Sequence, residues 1–279
     1  MQAPKSASEP PPLPRGDVIA PGYDVREHLS RGRALDVYEV WSHERGCLCV
    51  VKTVRPDRAR DRSARRRLIR EGELLLKLTH PHIVRAYELV RRPQPALVLE
   101  TLGGATLAYI IKRRSRRLPI SELAVLGLQL ASAVTYIHRH GYLHLDLKPS
   151  NVVCDAGLAK LIDLSIARAP GRARTPVGTR PYMAPEQARG GHLSEAADVW
   201  GLGAVLYEAA TARRPFKGSD HDGYPQTNGR PESARRWRRL PAAVVTAIDA
   251  SLEPDTSARP TLAQLAGALE PFAEPAGSG

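Results

Sequence analysis

At 279 residues and 42% hydrophobic, the chain can bury a substantial core and is long enough for one large domain or two lobes. Its net charge of +12 invites a nucleic-acid reading, but the Arg clusters at 58–70, 112–117 and 235–239 are dispersed and belong to no groove-reading motif, so they read as solvated faces. No stretch reaches ~18 apolar residues without a charge, no secretory signal is visible, and three cysteines (Cys47, Cys49, Cys154) build neither a disulfide framework nor a zinc site, so a cytoplasmic protein is expected.

Residues 1–21 are Pro-rich and aperiodic, which predicts a disordered leader. From Gly22, the runs YDVREHLS, ALDVYEVWSH and GCLCVVKTV, broken by RG and ERG turns, predict three antiparallel strands. In SARRRLIREGELLLKLTH, Leu68, Gly72, Leu75 and Leu78 recur at helical spacing and set Glu71 beside the apolar face. HIVRAYELV and PALVLETL predict two further strands. Beyond Thr106 the pattern turns helical: a long amphipathic helix from Ile120 ends at Gly141, and EAADVWGLGAVLYEAATA is apolar nearly all round, as a central helix would be. PAAVVTAIDASL and TLAQLAGALEPF close the chain before a flexible tail at 273–279. The expected class is α+β: a small antiparallel β-rich N-lobe with one helix over about 22–102, then a larger, mainly helical C-lobe over about 103–272.

The densest polar chemistry lies in YLHLDLKPSNVV, residues 142–153, where His144, Asp146, Lys148 and Asn151 fall between an apolar run and a β-like tail. HLDLKPSN is similar to the loop H-R-D-L-K-x-x-N, VVK to a strand lysine motif, and DLS at Asp163 to D-F-G. APE is present unchanged, within GTRPYMAPEQ, and is followed by DVWGLG and SARPT. Six such matches in order are specific, and by them the chain resembles the eukaryotic-type (Hanks-type) serine/threonine protein kinases over about 22–272.

The resemblance implies a bilobal protein-kinase fold, with ATP and Mg²⁺ (Mn²⁺ possible) as cofactors and Ser/Thr hydroxyls of proteins as acceptors. Neither nucleic acid nor a membrane is expected as a partner, and the oligomeric state is left open. Phosphoryl transfer needs positioning and charge compensation around the γ-phosphate rather than covalent chemistry. Lys52, steadied by Glu71, would hold the α/β-phosphates, and Asn151 and Asp163 would offer hard oxygens to the metal. Asp146 would orient the acceptor hydroxyl and take its proton, and Lys148 would reach the γ-phosphate. Val37 and Val50 would cover the adenine from above and Val153 from below, with Leu99 as gatekeeper and Glu100 to Leu102 as the hinge. His144 and Asp198 would be structural, and Glu186 and Arg259 would form a buried ion pair.

Three departures mark this chain. The glycine loop G-x-G-x-x-G-x-V becomes Ser30, Gly32, Leu35 and Val37, which weakens the phosphate cradle and raises the alternative of a pseudokinase acting as a binding or scaffold module. Ser165 replaces the glycine after Asp163, which stiffens the backbone there and favours fewer excursions to a flipped inactive state. Leu145 stands where most such kinases carry the Arg that receives a phosphorylated activation segment, so Thr175 has no evident phosphate socket. A third option, a small-molecule phosphotransferase, fits GTRPYMAPE and DVWGLG poorly. The activation segment is basic (Arg168, Arg172, Arg174, Arg180), which suits acidic protein substrates.

Overall fold

Every second residue of Leu35–Ser42 is buried, the pattern of a strand whose one face is covered by a core. In the computed structural model, which describes residues 10–114, 117–216 and 223–273, that strand lies within a six-stranded antiparallel sheet. The strands are β1 (Val18–Ala20), β2 (Tyr23–Arg31), β3 (Leu35–Ser42), β4 (Cys47–Val54), β5 (Ala86–Val90) and β6 (Ala96–Glu100), in the spatial order β1-β2-β3-β4-β6-β5. The chain divides into two compact units, residues 1–79 with 85–101, and 80–84 with 102–279.

In the first unit, Tyr23, Val25, Tyr38, Val40, Cys49, Val51 and Val98 form a core on one sheet face. Helix α1 (Arg62–Leu75) covers the other, and its Gly72 fits there because a Cβ would come 2.8 Å from the Leu89 side chain. The helix starts one residue before the predicted position, where the Asp61 carboxylate caps it by accepting from Ser63 N and Ala64 N at 2.9 and 3.0 Å.

The expected leader is corrected in part. Residues 1–9 lie outside the described residues, but 10–21 are ordered against the sheet. Val18–Ala20 pairs with β2, Leu13 packs on the core, and the Leu13 N–H donates to the Tyr38 hydroxyl at 3.1 Å. The Pro10 carbonyl accepts from Arg31 at 2.6 Å. Proline-rich composition hid this, because a segment without periodicity can still be bound by a few well-placed apolar and hydrogen-bonding groups. Of the expected tail, residues 274–279 lie outside the described residues.

The second unit is mainly helical. Its longest elements are α3 (Ile120–Arg139) and α5 (Glu195–Thr211), preceded by β7 (Ala105–Thr106) and α2 (Leu107–Arg114). Between the two long helices come β8 (Val152–Asp155), β9 (Leu158–Leu161), β10 (Gly171–Arg172), α4 (Pro185–Arg189) and β11 (His192–Leu193). Helices α6 (Ala242–Ser251) and α7 (Leu262–Leu269) close the unit. Helix α5 is buried along almost its whole length, as its all-round apolar sequence demands, and packs against α3 and α6. Helix α3 is the one helix among the described residues long and apolar enough to cross a membrane, but it packs against α5 and α7, as a core helix does.

Candidate active site

In the first unit the sheet register collects the expected nucleotide contacts. Val37 pairs with Lys52, Val50 with Leu99, and Ser30 with Val37, so the side chains of these residues share the sheet face that carries α1. Lys52 Nζ lies 2.8 Å from Glu71 Oε1, with the lysine side chain 12% exposed and the glutamate fully buried. A charge-assisted contact in that environment gives the ammonium a fixed direction. The Glu100 N–H donates to the Arg85 carbonyl at 3.0 Å, so that amide is not a donor for a hinge ligand.

The turn between β2 and β3 holds the reduced glycine loop. Its Gly32 N–H donates to the Leu35 carbonyl at 2.8 Å, and Arg55 donates to the Gly32 carbonyl at 3.2 Å. At its base, Arg31 grips the wholly buried Asp36 with two bonds of 2.8 and 2.9 Å, and His28 stands 3.3 Å away. Burial alone would raise the Asp36 pKa; the bonds from Arg31 and His28 outweigh it and hold the carboxyl below its ordinary value. Sequence reading missed this clamp, since Asp36 and Arg31 look like ordinary strand charges.

The second unit collects the remaining groups. The loop from His144 to Asn151 is anchored by Asp198 on α5, whose carboxylate accepts from the N–H groups of His144 and Leu145 at 2.7 Å each and from His138 Nε2 at 2.8 Å. His144 is wholly buried, and its Nδ1 accepts the Asp146 N–H at 3.2 Å. Burial lowers its pKa against the opposing pull of Asp198, Asp146 and Asp163, which favours the neutral ring.

Asp146 is the centre of the cluster. Its Oδ2 accepts from Lys148 Nζ at 2.6 Å and from Asn151 Nδ2 at 3.1 Å, and its Oδ1 accepts from Thr179 Oγ1 at 2.6 Å. Lys148 Nζ also donates to Thr179 Oγ1 at 2.7 Å. Thr179 was missed as a site residue, although it stands inside the GTRPYMAPEQ motif; its hydroxyl ties the activation segment to the catalytic loop. Gln187 was missed too: its amide donates to the carbonyls of Leu145 and Val177 at 2.9 and 2.7 Å. Gly178, at φ 119°, completes this junction, because a Cβ there would sit 2.8 Å from the Leu145 carbonyl oxygen.

Ile162 N donates to the Asn151 carbonyl at 3.1 Å, which sets Asp163 next to Asn151 across one backbone bond. The Asn151 amide nitrogen donates to Asp146, and its side-chain oxygen and the Asp163 carboxylate supply hard oxygens. That donor set fits Mg²⁺. Ser165 N donates to Asp163 Oδ1 at 2.8 Å, fixing the carboxylate. Val153 lies on β8, paired with Thr106 and Lys160, and Leu102 is half-buried just before β7. Glu186 and Arg259 form the expected ion pair, with two bonds of 2.6 and 2.9 Å.

Known proteins resemble this chain in sequence and fold. The chain is 32% identical to the serine/threonine-protein kinase PkaA of Streptomyces coelicolor over 90% of its length, covering 50% of that protein. It is 37% identical to the serine/threonine-protein kinase PknB of Mycobacterium tuberculosis over 60% of its length and 29% of that protein. The chain thus spans half or less of these relatives. The crystal structure of the Mycobacterium tuberculosis PknI kinase domain, a C20A mutant, superposes with a TM-score of 0.74 at 25% identity, covering 94% of this chain and all of that one. Residues 23–268 match the protein kinase domain, and with that match the chain belongs to the protein kinase family and carries its fold.

Proposed function

We propose that the chain is an ATP-dependent protein kinase that moves the γ-phosphoryl group of ATP to Ser or Thr hydroxyls of protein substrates, with Mg²⁺. The observation that carries this reading is the Asp146 carboxylate, held by Lys148, Asn151 and Thr179 at 2.6–3.1 Å beside a hard-oxygen pair. Mg²⁺ bound by Asn151 and Asp163 would neutralise charge on the phosphates.

Asp146 orients the acceptor hydroxyl and takes its proton as the oxygen attacks, a contribution of about 10²–10⁴ in rate. Lys148 accompanies the γ-phosphoryl group as its charge shifts. Lys52, directed by Glu71, binds the α- and β-phosphates of the same ATP. Val37, Val50 and Val153 contact the adenine, with Leu99 as gatekeeper and the stretch from Glu100 to Leu102 as the hinge. In this reading Ser30 and Gly32 line the phosphates, and with Ser30 and Leu35 in place of two glycines the loop backbone approaches them less closely, so ATP binds more weakly than in a kinase with the full loop. Names of relatives and the intact Asp146 cluster favour turnover over a scaffold role.

The test is phosphate transfer from γ-labelled ATP with Mg²⁺ to the protein itself and to generic protein substrates, beside the Asp146→Asn variant. Label on Ser or Thr that disappears in the variant supports the reading; equal label in both, or label on small alcohols alone, overturns it.

A further inference from the structure

A cavity of the helical unit lies after α5, walled by Tyr207, Pro215, Phe216 and Trp237 and rimmed by arginines. Arg213, Arg214 and Arg230 line it, against the single carboxylate of Glu232. The Arg213 guanidinium lies over the Trp237 ring at 4.2 Å, and Arg236 approaches the same ring at 5.5 Å. Arg214 stands over Tyr182 at 6.0 Å.

Two like charges on one indole repel each other, while contact with the ring limits the entropy the guanidinia lose on binding. Among the described residues the nearby carboxylates are already engaged, Glu232 with Arg236 at 3.3 Å and Glu253 with Arg230 at 2.6 Å. Among the described residues no carboxylate lies within 4 Å of Arg213 or Arg214, though Arg214 also feels the charge of Glu208 behind Tyr182, and both arginines are exposed. The walls are as ordered as the rim is charged. Phe216 stacks on the buried Trp200 at 5.8 Å with planes 9° apart, and the Tyr207 hydroxyl donates to the Glu232 carbonyl at 2.9 Å. Fixed guanidinia above an apolar floor suit a peptide whose carboxylates meet the arginines and whose apolar side chains meet Phe216 and Trp237.

We infer that this cavity docks an acidic peptide segment of the protein substrate, separately from the Asp146 cluster. As a substrate-recruiting site it rests on the kinase reading; as a peptide site it does not.

The experiment titrates a fluorescein-labelled glutamate-rich peptide containing leucines with the full chain carrying Asp146→Asn, in the absence of ATP, by fluorescence anisotropy. Expected are saturable binding, about a tenfold loss in the double variant Arg213→Ala, Arg214→Ala, and a smaller loss in Arg213→Lys, which keeps charge without the planar stack. Thermal melts of the variants should match the parent, since both side chains are exposed. Unchanged affinity in the double variant overturns the inference, as does equal binding of a lysine-rich peptide or tighter binding of single-stranded DNA. With the active chain and casein as acidic substrate, the double variant should raise KM and leave kcat and autophosphorylation unaltered. Should no phosphate transfer occur while Arg-dependent peptide binding persists, the kinase reading falls and the docking site stands.

Discussion

The carboxylate of Asp198 accepts the Leu145 amide at 2.7 Å at a point where Leu145 adopts a left-handed backbone, φ 66°. A non-glycine residue in that region is strained, and the strain persists because α5 holds the amide in place. The catalytic loop therefore takes its shape from a residue 53 positions away in sequence.

Replacing Asp198 with Ala should remove that hold. The buried N–H groups of His144 and Leu145 would lose their acceptor, at a cost of roughly 2–5 kcal/mol for the pair. Chemical denaturation should show the loss, and phosphate transfer should fall below detection in the folded fraction. A variant of native stability would contradict the anchoring role.

Thr179→Val removes the hydroxyl that bonds both Asp146 and Lys148 while keeping the side chain's volume. We expect kcat to fall about ten- to a hundredfold through misplacement of Asp146, with KM for ATP little changed. Thr179→Ser should recover most of the rate; if it is as impaired as the valine variant, the hydroxyl is not the operative group.

Leu145 is buried, 3% exposed, where the family places the arginine that receives a phosphorylated segment. Thr175 is exposed and should need no phosphate. Thr175→Ala is expected to keep kcat/KM within about threefold of the parent, a difference smaller than 1 kcal/mol. Steady-state kinetics on protein pretreated with phosphatase check this, and abolished turnover would refute it.

Arg259→Ala leaves Glu186 without its bidentate partner; the arginine side chain is 1% exposed and the glutamate 12%. Stranding a carboxylate there should cost about 3–5 kcal/mol, read as a lowered denaturation midpoint.

His144 gives the pH dependence. Burial depresses its folded pKa below the ordinary ~6.5, so above that value both folded and unfolded states carry a neutral ring and the folded state is undisturbed. As pH falls through ~6.5 the unfolded chain takes up a proton that the folded one refuses, and stability declines by up to about 1.4 kcal/mol per pH unit until the folded pKa is reached. Melting temperatures measured from neutral pH downward should show a slope that His144→Gln flattens; an identical slope in the variant assigns the effect elsewhere.

Much of this protein was legible in one dimension. Five strands, the helix bearing Glu71 and the long helices were readable because hydrophobic period and turn residues are local properties of a chain, and the Glu186–Arg259 pair, 73 residues apart, was expected only from the family resemblance. The first strand and the ordering of residues 10–21 were not, since a proline-rich stretch binds the sheet through Leu13, Pro10 and the buried Tyr38, which are distant in sequence. Thr179 escaped for the same reason, being 33 residues from Asp146, whereas the Arg31–Asp36 clamp, only five residues apart, escaped because its charges look like ordinary strand charges until Asp36 is seen to be buried.

The sequence by itself determined which groups are available: a lysine, a carboxylate base, and an amide and carboxylate suited to Mg²⁺. Only the tertiary structure decided that the Thr179 hydroxyl donates to Asp146 Oδ1 beside the Lys148 and Asn151 bonds to Oδ2, and that the Arg213 guanidinium lies over the Trp237 ring. Hydrogen bonds and ring contacts act over about 3–6 Å, and no spacing along the chain encodes which distant residues will come that close.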